Sequence, residues 1–496
     1  MSGSGGPTVA IVGTGAKGTG IAEAMIRAGR PVILFDVDKD AAATAVRRIL
    51  AAIRRDVEAR RTEALVLAKA QHMLRIARGA ADLGDAHVVI EAVAENLDLK
   101  RRVLAGIEDH VSRGTMLATN TGWLSVNAIG AGLSARERFA GFHFLTPAST
   151  PLVEIIPALT SSEATLETLD ALARGMGYTP IVSADLPGFI VAHLNRGLMG
   201  EAARILEAEV APPHVIDAIL RSALGLAQGP FELYDALGLD VVARAARHIS
   251  EGWGGEPRFR DVPLLATRVA AGFTGHGGHR GFYETGPDAR IPPLLAEPAE
   301  PWTGPVFVSP KIPDLAATVR GLLGKATLVG QPSARSLNIV TPLGTDALGE
   351  IVEQGLDPSR SVGIDALLTG EIVSIAATPM TLGEIRRGAA GLILAGGHKP
   401  AVIRDTPGLV AQRVAAMIVA VGYAMLDKGV ASAADIDIAA TQALGYAQGP
   451  FALSGRIGAV RSVQILQTLH AISGDARWRV PTNLRHVALM DQSRRG

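Results

Sequence analysis

Apolar residues in the first 180 positions form short unbroken runs, separated by longer segments in which apolar positions recur at helical spacing. Strands of a parallel sheet have continuous apolar runs because helices cover both faces of the sheet. The predicted strands span 8–12, 31–35, 87–91, 115–119, 140–144 and 151–156. A helical segment at 21–28 joins the first two strands into a β-α-β unit. The alternation therefore predicts an open, mostly parallel sheet.

The chain beyond residue 183 changes character twice. From 186 to about 280 the apolar spacing is helical, which predicts a helical domain. Seven prolines lie between Pro292 and Pro313, and so dense a run predicts a linker, because proline neither continues a helix nor pairs within a sheet. Short strands predicted at 336–341, 361–365, 372–378 and 401–404 then indicate a smaller α/β unit.

Two turn sequences recur in the chain at one fixed separation. Asp185-Leu-Pro-Gly-Phe returns as Asp405-Thr-Pro-Gly-Leu, and Leu224-Gly-Leu-Ala-Gln-Gly-Pro-Phe returns as Leu444-Gly-Tyr-Ala-Gln-Gly-Pro-Phe, both after 220 residues. An internal repeat of this kind indicates that the same supersecondary unit occurs twice. We therefore predict a second helical domain near the end of the chain.

Composition and charge argue against several classes of protein, namely nucleic-acid-binding, membrane-spanning, secreted and cysteine-dependent proteins. Lys plus Arg and Asp plus Glu both number 48, so no net field favours nucleic acid or an anionic membrane. The longest nearly unbroken apolar run, 414–426, is shorter than the roughly 18 residues that a spanning helix needs. The N-terminal residues lack the apolar region of a secretory signal. The chain has no cysteine, which excludes thiolate nucleophiles, disulfides and Cys-ligated metals. We predict a cytoplasmic protein without a metal site.

A glycine-rich turn follows the first predicted strand. In Gly13-Thr-Gly15-Ala-Lys-Gly18 the glycines permit a tight turn and allow the backbone to approach a pyrophosphate at a helix N-terminus. Asp36 closes the next strand, where a carboxylate binds an adenosine ribose and repels a 2'-phosphate, so NAD is favoured over NADP. The cation within the turn, Lys17, has two interpretations, a solvated side chain or a phosphate contact.

The fold class follows from the turn and the repeat together. We predict an α/β Rossmann dinucleotide-binding domain and an all-α domain, followed by a reduced Rossmann-like α/β unit and a second all-α domain. The predicted boundaries are 1–184 and 185–290 for the first pair, 291–313 for the linker, and 314–404 and 405–496 for the second pair. The second α/β unit has no glycine fingerprint, so only the first is equipped for a dinucleotide.

A histidine and a glutamate lie on successive predicted strands. His143 belongs to Gly141-Phe-His-Phe, and Glu154 belongs to Leu152-Val-Glu-Ile. A histidine in such a run is usually a core group, but a carboxylate on a neighbouring strand can fix its tautomer and stabilise the imidazolium during proton transfer. The pair is therefore a candidate for acid/base catalysis.

Several further segments carry a family resemblance: Val89-Ile-Glu-Ala-Val-Ala-Glu-Asn-Leu, Asn120-Thr121, Phe139-Ala-Gly-Phe-His-Phe, Asp185-Leu-Pro-Gly-Phe-Ile-Val, Gln228-Gly-Pro-Phe, Arg280-Gly-Phe-Tyr and Lys428-Gly-Val-Ala-Ser. Together with the glycine turn they resemble the bacterial two-part 3-hydroxyacyl-CoA dehydrogenases, almost from end to end. The resemblance implies NAD in the first domain, acyl-CoA in a cleft beside the helical domain, and a part in fatty acid β-oxidation. It assigns the proton-transfer pair to His143 and Glu154, and cofactor-side positions to Asp36, Glu95, Lys100 and Asn120.

The chain departs from the family where the reacting oxygen binds. The family's Asn-Thr-Ser-Ser is Asn120-Thr-Gly122-Trp123 here, and its Phe-Ile-Val-Asn-Arg is Phe189-Ile-Val-Ala192-His193. A serine hydroxyl and an asparagine amide are therefore missing, and one residue is absent between His143 and Glu154. Trp123 is either a shelf for a larger substrate or a packing residue, and Asn195, one turn beyond Ala192, is either a substitute donor or an exposed polar residue.

Three functions remain open at this point. The leading one is an NAD-dependent 3-hydroxyacyl-CoA dehydrogenase, with Arg61 as a candidate contact to a CoA phosphate. The first alternative is a dehydrogenase for a bulkier or non-CoA substrate, and the second is a catalytically weak protein that binds cofactor or acyl-CoA. Family members with one such domain usually dimerise through it, so we also predict that the two helical domains pack as an internal pseudo-dimer. Association of whole chains into a homo-oligomer is left open.

Overall fold

The computed structural model describes residues 6–147, 150–275, 280–285 and 290–494. These divide into two compact units. The first unit contains the residues up to Ala192 together with Gly429–Ala443, and the second contains His193–Lys428 and the residues from Leu444. Parts of the N-terminal segment and of the loop between His143 and Glu154 discussed above lie outside the described residues.

An eight-stranded sheet forms the centre of the first unit, in the order β3-β2-β1-β4-β5-β6-β7-β8. Its strands are β1 Val9–Val12, β2 Val32–Phe35, β3 Leu74–Ile76, β4 Val88–Glu91, β5 Met116–Thr119, β6 Phe139–Phe144, β7 Leu152–Pro157 and β8 Thr179–Val182. Neighbouring strands are parallel except β6 and β7, which are antiparallel. The strands between the edge strands β3 and β8 are buried on both faces, which explains their continuous apolar sequences.

Helices cover both faces of this sheet. They span Ala16–Arg27, Lys39–Glu58, Ala64–Met73, Leu97–Glu108, Val126–Gly130 and Glu163–Gly175, with Ala433–Ile438 from the later part of the chain. The helix Val191–Asn195 contains the chain boundary between the two units. The segment Gly429–Ala443, which contains the helix Ala433–Ile438, lies near the end of β8, where the Ala184 N–H donates to the Val430 carbonyl at 2.8 Å. The layer order is that of a doubly wound α/β domain.

The second unit contains a six-stranded sheet in the order β10-β9-β11-β12-β13-β14. Its strands are β9 Val306–Val308, β10 Leu328–Val329, β11 Leu337–Val340, β12 Ser361–Ile364, β13 Ile372–Ala377 and β14 Lys399–Arg404. Only the β12–β13 pair within this sheet is antiparallel. The smaller sheet therefore repeats the single antiparallel step of the larger one.

The helices of the second unit fall into two groups along the chain. The first group spans Glu201–Glu207, Pro213–Leu224, Pro230–Leu237, Leu239–Gly252 and Pro263–Ala270. The second spans Pro313–Leu322, Ala347–Glu353, Gly383–Ala395, Ala411–Asp427, Pro450–Ile457, Ala459–Ser473 and Thr482–Ser493. Among the described residues, no helix combines the length and apolarity needed to cross a membrane.

The repeated Asp-x-Pro-Gly turn has the same local role in both copies. The carboxylate of Asp185 accepts the backbone N–H groups of Val126 and Asn127, both at 2.8 Å, and so caps the short helix that begins at Val126. The carboxylate of Asp405 caps the helix that begins at Ala347 in the same way. The residue after each glycine has a positive φ, 46° at Phe189 and 51° in the second copy. The repeat is thus a capping turn that ends each sheet.

The second repeated turn brings its two copies into contact. An added Cβ at Gly225 would lie 2.8 Å from the side chain of Ala447, and one at Gly445 would lie 3.1 Å from that of Ala227. The Ala227 N–H also donates to the Gly445 carbonyl at 3.1 Å. Residue 447 is the repeat counterpart of 227, and residue 445 is the counterpart of 225. Each of the two positions therefore contacts the counterpart of the other, which is the reciprocal pattern of a two-fold contact.

The proline-rich segment differs from the sequence prediction. We expected an unpaired linker over 291–313, but Val306–Val308 forms strand β9, paired in parallel with β10 and β11. The prediction is wrong for these three residues because Val-Phe-Val lies between prolines rather than containing one, so its N–H groups remain available. Strands β3, β8 and β10 were also not predicted. Each is short and lies at or near a sheet edge, where the apolar signal is weak.

Candidate functional site

The glycine turn lies between the end of β1 and the start of the helix Ala16–Arg27. Gly13 has a φ of 94°, and a Cβ there would lie 2.9 Å from the backbone of Ala92. A Cβ at Gly18 would lie 1.8 Å from the Gly13 carbonyl oxygen, whereas Gly15 has open space above it. Among the described residues, no side chain caps this helix at Gly15. Its first N–H groups therefore point into an open, side-chain-free cradle that fits a pyrophosphate.

Asp36 stands at the end of the neighbouring strand β2 and is bound to the turn. Its Oδ2 accepts the Thr14 backbone N–H at 2.7 Å and the Thr14 hydroxyl at 2.8 Å, while its Oδ1 accepts the Asp38 N–H at 3.1 Å. The structure thus brings Asp36 against the glycine turn. The carboxylate at this position, together with the open turn, suits the adenosine ribose and pyrophosphate of NAD.

His143 and Glu154 are directly opposite one another on the antiparallel strands β6 and β7. Both side chains are buried, and Nδ1 of the histidine lies 2.6 Å from Oε2 of the glutamate. The other carboxylate oxygen, Oε1, accepts the backbone N–H groups of Ile190 at 2.8 Å and Val191 at 3.1 Å. Three hydrogen bonds thus hold the carboxylate, one of them to the imidazole ring, and Nε2 is the ring nitrogen that this carboxylate leaves free.

Gly122 lies beside the outer face of this histidine. An added Cβ at Gly122 would stand 3.2 Å from Nε2 of His143 and 3.9 Å from Oε1 of Glu95. Glu95 in turn accepts the Gly122 N–H at 2.8 Å and the Thr121 hydroxyl at 2.8 Å. A side chain at 122 would therefore crowd Nε2 of His143, and the glycine leaves that nitrogen uncovered, at a position where the family carries a serine.

Asn120 and Lys100 were predicted at cofactor-side positions, and the structure gives both of them protein partners. Oδ1 of Asn120 accepts the Phe144 N–H at 2.7 Å, which holds the end of the strand that carries the histidine. Nζ of Lys100 binds Glu91 at 2.9 and 3.1 Å, and both side chains are almost fully buried. Lys100 therefore neutralises a buried carboxylate within the protein, where an unpaired charge would be costly.

Lys17 extends from the glycine turn to the end of strand β6. Its Nζ donates to the carbonyl oxygen of Phe144 at 3.0 Å and also to that of Leu145. Although much of the side chain is exposed, loss of hydration around the ammonium lowers its pKa to about 8, against the opposing charges of Glu95 and Glu154. Neither sequence interpretation, a solvated chain or a phosphate contact, anticipated this position beside the strand of His143.

Three of the remaining predicted substrate residues, Arg61, Trp123 and Ala192, belong to the first unit. Arg61 binds Asp56 at 2.5 Å on the rim of a polar cleft of about 580 Å³ whose lining includes Arg27 and Arg55. Trp123 is half-buried in the first unit, as is Ala192.

The other two predicted substrate residues belong to the second unit. His193 is fully buried, with its ring centroid 4.3 Å from that of Phe259 and 5.4 Å from that of Trp253. Asn195 is also buried, and its Oδ1 has no hydrogen-bond partner among the described residues. The expectation that Asn195 is an exposed polar residue is therefore wrong.

Sequence reasoning missed the structural role of Glu91. Its Oε1 accepts the Val93 N–H at 2.6 Å and its Oε2 accepts the Thr119 hydroxyl at 2.7 Å, in addition to the ion pair with Lys100. These bonds join the carboxyl ends of β4 and β5, from which the segments carrying Glu95 and Gly122 emerge. The sequence does contain a signal for this role, because Glu91 is a charged residue at the end of an otherwise apolar predicted strand, and buried charges are normally paired.

Comparisons with known proteins agree over nearly the full length of the chain. Residues 8–186 match a family model described as the NAD binding domain of 3-hydroxyacyl-CoA dehydrogenase, and residues 188–285 and 408–495 each match its C-terminal domain. The chain is 30% identical over 485 residues to a 3-hydroxyadipyl-CoA dehydrogenase of Escherichia coli, which covers 98% of both chains. It is 32% identical to a probable 3-hydroxybutyryl-CoA dehydrogenase of Bacillus subtilis over 56% of this chain and 96% of that protein. The crystal structure of a 3-hydroxybutyryl-CoA dehydrogenase from Escherichia coli has a TM-score of 0.86 at 29% identity and covers 98% of this chain and 99% of its own.

Proposed function

The chain belongs to the 3-hydroxyacyl-CoA dehydrogenase family, and from this premise we propose that His143 and Glu154 transfer the proton in its reaction. The family activity is that of an NAD-dependent oxidoreductase that acts on the CH–OH group at carbon 3 of an acyl-CoA. The observation that carries the proposal is the 2.6 Å contact between His143 Nδ1 and Glu154 Oε2 in a buried, fully oriented pair. A pair that served packing alone would not need a carboxylate in place of an apolar side chain.

In this mechanism Nε2 of His143 takes the proton of the 3-hydroxyl group during oxidation and returns it during reduction. Glu154 holds Nδ1–H and stabilises the imidazolium, and the N–H groups of Ile190 and Val191 keep its carboxylate in place. NAD supplies the hydride acceptor or donor when it is bound. Gly13, Gly15 and Gly18 would hold its pyrophosphate and Asp36 its adenosine ribose. Glu95, Lys100 and Asn120 are the further residues proposed on the cofactor side.

The proposed substrate follows from the proposed proton transfer by His143 and Glu154. We infer an acyl-CoA substrate, with Arg61 near a CoA phosphate and Gly122, Trp123, Ala192, His193 and Asn195 as substrate-side residues. A second candidate, a dehydrogenase for a bulkier hydroxy or oxo substrate, is favoured by one observation. Gly122 places no side chain over Nε2 of His143, where even a Cβ would come within 3.2 Å, so this side of the ring is left uncovered for a branched substrate.

The test is reduction of acetoacetyl-CoA with NADH by the full chain, followed by the variant His143→Ala. We expect measurable turnover by the wild type, and loss by several orders of magnitude in the variant with NADH binding retained. His110→Ala is the matched control, because His110 is exposed on a helix end of the same unit. Turnover by His143→Ala close to that of the control would remove the histidine from the mechanism. NADH binding without turnover by the wild type, even with bulkier 3-oxoacyl substrates, would favour a binding protein.

We further propose that the two helical segments form an internal pseudo-dimer. Its support is the reciprocal contact of Gly225 with Ala447 and of Gly445 with Ala227, together with the buried ion pair of Arg413 with Glu201. The boundaries 1–184, 185–290, 291–313, 314–404 and 405–496, a cytoplasmic location and the homo-oligomeric state stay predictions.

A further inference from the structure

The side chain of Lys17 spans two parts of the site that the reaction has to connect. It begins in the turn between Gly13 and Gly18, and its ammonium ends at the carbonyl oxygens of Phe144 and Leu145, directly after His143. The turn is the place for a pyrophosphate, and Nε2 of His143 is the place for the substrate oxygen. Lys17 therefore bridges the cofactor end and the proton-transfer end of one site.

Hydride transfer restricts where the nicotinamide ring can be. Its reactive carbon has to contact the substrate carbon whose oxygen meets His143, while its ribose is joined to the pyrophosphate at the glycine turn. The ring must accordingly occupy the interval between Gly15 and His143. Lys17 crosses this same interval, so its charge lies close to the ring that gains or loses the hydride.

The two forms of the cofactor differ by one charge at that ring. The oxidised nicotinamide is a cation, and the reduced ring is neutral. We propose that Lys17 is a specificity-determining residue that favours the reduced cofactor, because its ammonium repels the oxidised ring and leaves the reduced ring unaffected. The inference rests on the proposed NAD site, and it implies that the enzyme is adapted to reduce a 3-oxo group with NADH.

Two negatively charged side chains lie near the ammonium of Lys17. The groups whose charges act on Lys17 are the carboxylates of Glu95 and Glu154, which would by themselves attract a cationic ring. Partial burial lowers the pKa of Lys17 to about 8, so the ammonium remains mostly charged at pH 7. Its removal would leave two carboxylates and no cation beside the ring. The binding preference of the protein should then shift from NADH toward NAD+.

The experiment is a binding measurement without substrate. NADH is titrated by its fluorescence, and NAD+ is measured by displacement of NADH, on the wild type and on Lys17→Met. We expect the ratio of the NAD+ to the NADH dissociation constant to fall about tenfold in the variant, or about 1.4 kcal/mol, mainly because NAD+ binds more tightly. Lys17→Arg, which keeps the charge, should retain the wild-type ratio.

Lys39→Met is the matched control. Lys39 is exposed at the start of the helix after Asp36, on the adenosine side, so its loss should affect both cofactor forms equally. An unchanged ratio in Lys17→Met, or equal weakening of both forms as for a phosphate ligand, would overturn the inference. Lys17→Gln provides a second neutral variant if the methionine variant does not fold. The ratio is measured without acyl-CoA, so a failure of the wild type to reduce acetoacetyl-CoA would count against the proposed function alone.

Discussion

Replacement of Glu154 by glutamine separates the two roles of its carboxylate. The side-chain carbonyl of glutamine can still accept the N–H groups of Ile190 and Val191, which lie 2.8 and 3.1 Å from Oε1. The amide nitrogen then faces Nδ1 of His143 in place of an anionic oxygen at 2.6 Å. The local fold should persist, whereas the charge and the acceptor that orient the imidazole are lost.

The size of the effect follows from these contacts. A hydrogen bond to a charged group contributes about 1.5 to 3 kcal/mol, which is roughly 10- to 150-fold in rate. The amide also donates to Nδ1, so the ring proton moves to Nε2 and the histidine can no longer act as a base there. The corresponding tautomer error in a Ser-His-Asp triad lowers kcat about 10,000-fold. We expect kcat of Glu154→Gln to fall between roughly 100- and 10,000-fold.

The assay is steady-state oxidation of NADH with acetoacetyl-CoA, with the NADH dissociation constant and the melting temperature measured alongside. A role in proton transfer lowers kcat and leaves the NADH dissociation constant nearly unchanged, whereas a packing defect lowers stability and binding together. Glu167→Gln, at an exposed position of the helix Glu163–Gly175, is the matched control. A kcat within about threefold of this control would refute the assignment of Glu154 as the partner of the catalytic histidine.

Three further predictions concern the cofactor, the pH dependence and the repeat. Asp36→Ala should weaken NADH binding much more than NADPH binding in parallel titrations, because the carboxylate repels a 2'-phosphate; equal losses would contradict this cofactor rule. Asp365, the residue after strand β12, is buried, and burial raises its pKa from 3.8 to about 6; the stability it contributes is therefore complete below pH 3.8 and is lost as the pH rises through 6. Calorimetry should therefore show Asp365→Asn gaining on the wild type between pH 4 and 7, by up to about 3 kcal/mol, and a constant difference would exclude this buried acid as the cause. A fragment ending near residue 288 should self-associate in light scattering because it lacks the second copy of the repeat, and a stable monomer would count against the internal pseudo-dimer.

The sequence alone determined the features that depend on local chain chemistry. Strands buried on both faces are continuous apolar runs, so six strands of the first sheet and four of the second were predicted within one or two residues. The glycine turn requires a positive φ at Gly13 and no side chain at Gly18, and few sequences besides a dinucleotide turn combine these with an acidic residue at 36. The duplicated helical region could be predicted because the Asp-x-Pro-Gly turn needs the same residue types in each copy, so the repeat remains visible in the sequence.

Only the tertiary structure decided which side chains meet. His143 and Glu154 are eleven residues apart, and they face each other because β6 and β7 are antiparallel with these residues in register. Strand direction depends on how the whole sheet assembles, which no local pattern specifies. The same holds for Lys17, whose ammonium reaches a strand end 127 residues away, and for Lys100, whose charge is neutralised by a buried glutamate. Sequence identifies the groups capable of chemistry, but their pairing depends on distances that the packed chain alone sets.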